Sequence, residues 1–537
     1  MTSGGGATPP ARRPDVPDVP DGPRPTRYPE TVPPPPGLPM IRPVTTRPRR
    51  ALVAILAVAV AALPAGPWPL AQGLPDLGDS AQKLMTPAQE RRLGETAVKQ
   101  MRAAGGYLED PEVNDYLNEL GRKLVSARPD TRFDFEFFAV PDPSINAFAI
   151  PGGFIGVNTG LILLAQTESE LASVLAHEIS HITQNHMARL IAGQQNALLL
   201  SLAALAVALV AARSNSSSAN DLVGAAITSA QALAIQNQLN FTREHEYEAD
   251  RIGFLRLQAA GFDAAAAATL MERLQKASRF TDGSVPSYLR THPVTYERIA
   301  EAQSRARDRP YRQVADSLDF QMVRALLRSY VGRSHEAVSW FDGAIAERKY
   351  NSEIAVRYGL VAALLRDGKL PRARTELAAL ERTAPPHPMI EAIAGHVLLE
   401  SGDATGAVAR FEAALARYPN KMQLVYDYPD ALLKAGRAAD AAQFAERELQ
   451  RFPTDGLLHR AAAKAYAAQN RRLKHHMHQG EYYAWQGNLR GAIDQFELAI
   501  KAGDANFYDS SIVETRLRAL KRDQAELQKE GFGRASG

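Results

Sequence analysis

Gly332, Gly368, Gly402 and Gly436 are each followed five residues later by alanine, at Ala337, Ala373, Ala407 and Ala441, with successive glycine spacings of 36, 34 and 34 residues. A second register agrees: Pro385, Pro419 and Pro453 stand 34 apart, each after a stretch with helical patterning. No single helix pair of such a period buries its own apolar face, so the units must stack, each covering the next. Gly487 and Ala492 repeat the pattern 51 residues after Gly436, which marks an interruption. Asn470 is expected at the skipped turn, with residues 471–486 forming an extra or longer helix.

A 34-residue period with small residues at the helix crossing and proline at the repeat end is the sequence form of tetratricopeptide repeats. Residues 320–530 therefore read as an all-α solenoid, whose concave surface suits an extended peptide or a partner protein. A scaffold with no ligand of its own has the same pattern. His475, His476 and His478 lie beside Tyr482, Tyr483 and Trp485, but their spacing matches no recognised metal site, so they read as a polar and aromatic helix face.

A different chemistry occupies the first half. His177-Glu178-Ile179-Ser180-His181 puts two imidazoles one turn apart on one helical face, which is how a zinc protease holds its metal. Thr167-x-x-Glu170 has the form of a capping box, and Leu171, Val174, Leu175, Ile179 and Ile182 recur at helical spacing. A catalytic zinc usually takes three protein ligands and leaves a fourth position for water. The third is sought in residues 243–250, a strongly polar helix start that continues through Ile252, Leu255 and Leu257. Glu246 and Asp250 are four apart and share a face. One can ligate the metal while the other accepts from the free ring nitrogen of a ligand histidine. Glu244 and Glu248 point off that face and read as solvent charges. His186, five residues past His181, reads as structural.

Residues 146–150 read as a short strand that turns through Pro151-Gly152-Gly153 into 154–157. With an open edge, Asn146, Ala147 and Phe148 would hold extended substrate by strand addition; otherwise this is an ordinary buried hairpin. His245, His292 and Tyr247 are the local donors available to a developing oxyanion.

Taken in order, residues 145–153, the H-E-I-S-H stretch, Glu246 to Gly253 and Thr291-His292-Pro293 resemble the HtpX/BepA group of zinc metalloproteases over residues 80–305. The resemblance implies a mainly α protein: a zincin-type α+β metalloprotease domain with a small sheet, followed by the all-α tetratricopeptide-repeat solenoid. It implies one Zn2+ per chain on His177, His181 and Glu246, Glu178 as general base, and Asp250 behind a ligand histidine. His292 is then a donor to the transition state or a fourth ligand that closes the site, unless it is a turn residue before proline. The repeats resemble the C-terminal domain of the same protease group. Unfolded or misassembled envelope proteins, outer-membrane β-barrels among them, are the implied substrates, with the outer-membrane assembly machinery as a partner on the repeats. A repeat-based chaperone or scaffold with a latent protease domain is the competing expectation, and an integral membrane protease a third.

The first fifty residues hold 15 of the 35 prolines and read as a disordered Pro/Arg-rich arm. Basic residues 47–50, the apolar run 51–63 and the breakers that follow describe a secretory signal peptide over 51–73, which implies the periplasm. Initiation at Met40 would give that peptide an ordinary length. A single-pass anchor through 51–63 is the alternative. A second apolar run, 197–212, is short and Ala-rich for a membrane span and reads better as a buried helix or a lid over the site, edged by a Ser/Asn-rich loop at 214–220. The chain has no cysteine, which excludes disulfides, thiolate ligands and lipoprotein processing. A net charge of +3 over 537 residues gives no sign of nucleic-acid binding.

Overall fold

A computed structural model describes residues 86–129, 133–187, 189, 243–280, 287–307, 312–504 and 506–529. The arm at 1–50, the signal-peptide reading over 51–73, the apolar run at 197–212 and the loop at 214–220 lie outside the described residues. Among the described residues no helix is long and apolar enough to cross a membrane.

Helix α1 (Pro87–Ala103) opens with a complete capping box, Thr86 with Gln89, and a proline in its first turn. Helix α2 (Pro111–Ser126) is capped by Asp110, which accepts from the Val113 amide, and it buries Val113, Tyr116, Leu117, Leu120 and Leu124 along one stripe. Three strands follow: β1 (Glu136–Val140), β2 (Ala147–Ile150) and β3 (Phe154–Asn158), in the order β1-β3-β2. β3 is parallel to β1 and antiparallel to β2, so β2 is paired on one side only among the described strands. The β2–β3 turn has Gly152 and Gly153 at φ +82° and +96°, and a Cβ at Gly152 would come within 2.6 Å of the Arg91 Cα on α1. Only glycine allows both the left-handed backbone and that approach.

Helices α3 (Thr159–Leu164), α4 (Glu168–Thr183), α5 (Arg243–Ala259), α6 (Ala266–Phe280), α7 (Ser287–Thr291) and α8 (Tyr296–Arg307) complete the first half. α4 is buried along nearly its whole length. Only half of its expected capping box forms. Thr167 accepts from the Glu170 amide, but the Glu170 carboxylate accepts from the Gln166 amide at 2.7 Å and pairs with Arg273 at 2.9 Å, because a cation on α6 outbids a neutral amide. α5 lies against α4 at Gly253, where a Cβ would stand 3.1 Å from the His177 amide nitrogen. That close approach brings the two polar motifs together.

The second half is a run of helices: α9 (Leu318–Ser329), α10 (Ser334–Ala346), α11 (Glu353–Arg366), α12 (Leu370–Thr383), α13 (Pro388–Glu400), α14 (Ala404–Arg417), α15 (Met422–Lys434), α16 (Ala438–Arg451), α17 (Gly456–Ala468), α18 (Arg472–Trp485), α19 (Leu489–Ile500) and α20 (Phe507–Lys529). The four periodic glycines sit at the turns inside the pairs with φ between +69° and +81°, and the four alanines five residues on are fully buried. Asn470, at φ +57°, takes the next turn, and α18 is the extra helix expected there. His478 is buried between His459 and Glu446, whereas His475 meets the Ala463 carbonyl and His476 meets Gln495. The three imidazoles diverge, as a polar and aromatic helix face requires.

The repeats close on the first half of their own chain. Tyr330 and Tyr358 donate to Asp110 and Glu112 at 2.7 and 2.5 Å, and the Met422 amide donates to Asp115 at 2.8 Å. Arg102 on α1 is stacked between Tyr107 and Trp485, 3.9 and 3.8 Å from the ring centres. Beneath these contacts Tyr116, Leu117 and Leu120 share one apolar core with Phe320, Val323, Tyr358 and Met389. The first helices of successive pairs, α9, α11, α13 and α15, are thus turned to α2, which occupies part of the surface expected to receive a partner.

Candidate metal centre

Helix α4 presents His177 and His181 one turn apart, and α5 presents Glu246 opposite them. His292, at the end of α7, completes the group. One nitrogen or oxygen from each of these four buried residues lies within 4.8 Å of the others. The two histidine Nε2 atoms are 2.9 Å apart, and each is 3.5 Å from a Glu246 oxygen. His292 Nδ1 is 3.3 Å from His177 Nε2 and 3.1 Å from Glu246 Oε1.

The opposite edges of the rings settle what those atoms are. Asp250 Oδ1 stands 3.0 Å from His177 Nδ1 and accepts its proton, leaving Nε2 with a lone pair. On the other ring, Glu248 accepts from His186 Nε2 at 3.1 Å, so His186 Nδ1 accepts from His181 Nδ1 at 2.8 Å and His181 Nε2 is also left bare. Two ring lone pairs and a carboxylate aimed at one point repel unless a cation lies among them. The separations of 2.9 to 3.5 Å suit tetrahedral ligation, for which metal–ligand bonds of about 2.0–2.2 Å imply edges of roughly 3.4 Å. The residues present fit a zinc-sized ion.

Without metal, a proton does this work. Burial disfavours a charged His177, yet its hydrogen bonds to Asp250 and Glu246 outweigh burial and raise it to about 10. Burial and the charged neighbour His177 hold His181 well below the usual imidazole range. Glu246 is depressed far below an ordinary carboxyl despite its burial, chiefly by His292 and His177. Glu178 goes the other way: burial raises it, and its Oε1 has no hydrogen-bond partner, with His292 Nε2 3.4 Å away. A buried carboxyl with an unfilled oxygen beside a cation site is equipped to take a proton from water.

Arg298 on α8, 3% exposed, anchors the carboxylates. Its Nε and Nη2 bind Asp250 at 2.6 and 2.8 Å, and its Nη1 meets Glu246 Oε2 at 2.8 Å and the Pro293 carbonyl at 2.7 Å. The sequence reading missed it, although it lies six residues past His292 within the same motif. His186 and Glu248 are corrections. The chain leaves α4 through Asn185 in a left-handed turn at φ +52°, which folds His186 back under His181 rather than along the helix. Glu248 is no solvent charge, since it pairs with His186 and with Arg189 at 2.9 Å. Glu244 is exposed as expected. His245 stacks on His186 at 4.5 Å, and Tyr247 is half-buried. Asn146, just before β2, is buried with its Oδ1 unpartnered, whereas Ala147 is buried and Phe148 half-buried within the edge strand. The Tyr288 amide donates to the Ile145 carbonyl, and the Tyr288 ring stacks on His292 at 4.8 Å, so the strand and the fourth donor are joined.

Comparison with known proteins agrees with this arrangement. Peptidase family M48 matches residues 108–306, and a tetratricopeptide repeat family matches 398–465. The putative beta-barrel assembly-enhancing protease of Vibrio cholerae serotype O1 is 33% identical over 464 residues, 86% of this chain and 93% of that one. The beta-barrel assembly-enhancing protease of Escherichia coli K12 is 32% identical over 453 residues, 83% of this chain and 92% of its own. The mitochondrial metalloendopeptidase OMA1 of Schizosaccharomyces pombe is 30% identical over 217 residues, 40% of this chain and 60% of that one. The chain is a metalloendopeptidase with C-terminal tetratricopeptide repeats and belongs, within peptidase family M48, to the family of the beta-barrel assembly-enhancing proteases.

Proposed function

We propose that the chain is a zinc-dependent endopeptidase of the cell envelope, acting in the periplasm on misfolded or stalled outer-membrane proteins that its repeats help to recruit. The observation that carries this reading is the buried set His177, His181 and Glu246 beside a Glu178 oxygen with no partner. Zinc, when bound, supplies Lewis-acid activation of water and of the scissile carbonyl. The rest is the work of side chains. Asp250 and His186 hold the two rings in the tautomer that offers Nε2, and Arg298 holds both carboxylates in place. Glu178 takes the proton of the attacking water and returns it to the leaving amine. β2, with Asn146, Ala147 and Phe148 at its start, is the edge along which an extended substrate adds as a strand. The names of the relatives in Vibrio and Escherichia support an outer-membrane β-barrel context and a partner in its assembly machinery.

A latent state has its own observation. His292 directs Nδ1 into the donor set and Nε2 towards Glu178, so it occupies the fourth position and covers the base together. In that state the chain would serve its partners through the repeats alone. The test compares wild type with Glu178→Gln for cleavage of an unfolded model protein, with zinc measured in both. Cleavage by wild type only, at equal zinc content, is expected; zinc in both with cleavage in neither supports the scaffold, and no zinc in wild type removes the ligand assignment.

A further inference from the structure

A cleft of about 650 Å³ begins at His177 and Asp250 and runs between α4, α5, α6 and α8. Its walls are apolar: Val174, Phe254, Leu257, Leu270, Met271 and Leu274. Val174 precedes His177 by three residues, so both face the same side of α4. Gly253 and Ala302 also line the cleft, and their small side chains leave it wide. Its charges are already matched. Arg298 is saturated by Asp250, Glu246 and the Pro293 carbonyl, and Arg305 pairs with Glu301 at the far end. No wall group is left to hold a lysine or an aspartate.

We propose that this cleft is a specificity pocket that takes one bulky apolar side chain of the substrate, from the residue adjoining the scissile bond. The inference rests on the peptidase reading above and adds its substrate preference. Continuity with the metal centre carries it. His177 lines the cleft and contributes Nε2 to the donor set, and successive residues of an extended chain are only about 3.3–3.6 Å apart. A peptide bond held at the donor set therefore has its neighbour's side chain at the mouth of the cleft. Leucine, methionine or phenylalanine fills that space and loses its water, whereas glycine leaves the walls uncovered. The difference is worth on the order of ten- to a hundredfold in cleavage efficiency.

The test uses the full zinc-loaded chain and two measurements. Cleavage sites in an unfolded model protein are mapped by mass spectrometry. Binding of two peptide hydroxamates, one carrying a leucine side chain and one glycine, is measured by calorimetry, which needs no turnover. Met271→Trp and Ala267→Phe narrow the cleft from its half-buried lining, and either variant serves if the other fails to fold. Wild type is expected to cut beside bulky apolar residues and to bind the leucine hydroxamate at least about tenfold tighter. The variants are expected to shift both preferences towards small side chains while still cutting. Equal hydroxamate affinities in wild type, or a leucine preference unchanged in both variants, overturn the pocket. Hydroxamate discrimination without any cleavage keeps the pocket and removes the peptidase reading; cleavage without side-chain preference does the reverse.

Discussion

Asp250 gives the sharpest test of how the metal centre is built. One of its oxygens accepts from His177 Nδ1 at 3.0 Å, and both bind Arg298, at 2.6 and 2.8 Å. Replacing it with alanine frees the His177 ring and removes a negative charge one residue away from the metal. Both effects weaken cation binding. Loss of such a partner behind a ligand histidine lowers metal affinity by about 10- to 100-fold, which is about 1.4 to 2.7 kcal/mol. The metal-free protein pays separately, because Arg298 is 3% exposed and keeps only Glu246 and the Pro293 carbonyl. Breaking a buried ion pair from one side costs about 3–5 kcal/mol. The two quantities are read independently, zinc affinity by competition with a chromogenic chelator and stability by urea unfolding of the metal-free chain. Asp250→Asn, which keeps an acceptor for His177, should lose less than Asp250→Ala in both. Adding Arg298→Met to Asp250→Ala should restore part of the lost stability, since it removes the stranded cation. Zinc affinity within threefold of wild type in Asp250→Ala would refute the claim that this carboxylate holds the ring.

Three further outcomes are expected. His292→Ala should lower zinc affinity about tenfold while raising cleavage of an unfolded protein, by opening the fourth position; a fall in cleavage with zinc retained would make His292 a transition-state donor instead. The contact between α2 and the repeats should weaken as pH rises. Burial raises Asp115 to about 6, and in half-buried His396 the pairing with Asp427 outweighs burial and raises it to about 9. Asp115 thus contributes stability below its ordinary value that is lost as pH climbs through about 6, and His396 contributes stability below about 6.5 that is lost as pH climbs through about 9. Urea midpoints and amide exchange in α2, measured across that range, check the sign. Gly436→Ala should cost about 1–2 kcal/mol in urea unfolding although nothing lies within 4 Å of the added Cβ, because φ is +76°.

What could be read from the sequence was what depends on local spacing. H-E-x-x-H and the Glu246 to Asp250 pair are i,i+4 patterns, and a helix turns such spacing into a shared face without help from the rest of the chain. The glycine and alanine registers worked for the same reason, one demanding a left-handed turn and the other a close helix crossing. Asn470 was legible because asparagine is the residue that tolerates the same backbone. The residues that escaped depend on what packs against them. Arg298 reaches Asp250 only because α8 lies on α5, and no local pattern announces it. His186 and Glu248 were misread by continuing a helix past its end, where Asn185 turns the chain back. Glu170 broke its expected capping box for a cation 103 residues away.

The contacts of α2 carry a consequence for where this protein can be cut. The family boundaries suggest a seam after residue 306, yet Tyr116, Leu117 and Leu120 pack against Phe320, Val323 and Tyr358 in one continuous core. Tyr116 also donates to Glu168 in the first turn of α4, the helix that carries His177 and His181. A fragment ending at the seam would expose that core and strip the support from beneath the motif helix, so the peptidase half is not expected to survive as an excised module. Gain or loss of the repeats in such a chain cannot be a matter of adding or deleting a tail, because the enzyme half has part of its own interior on loan to them.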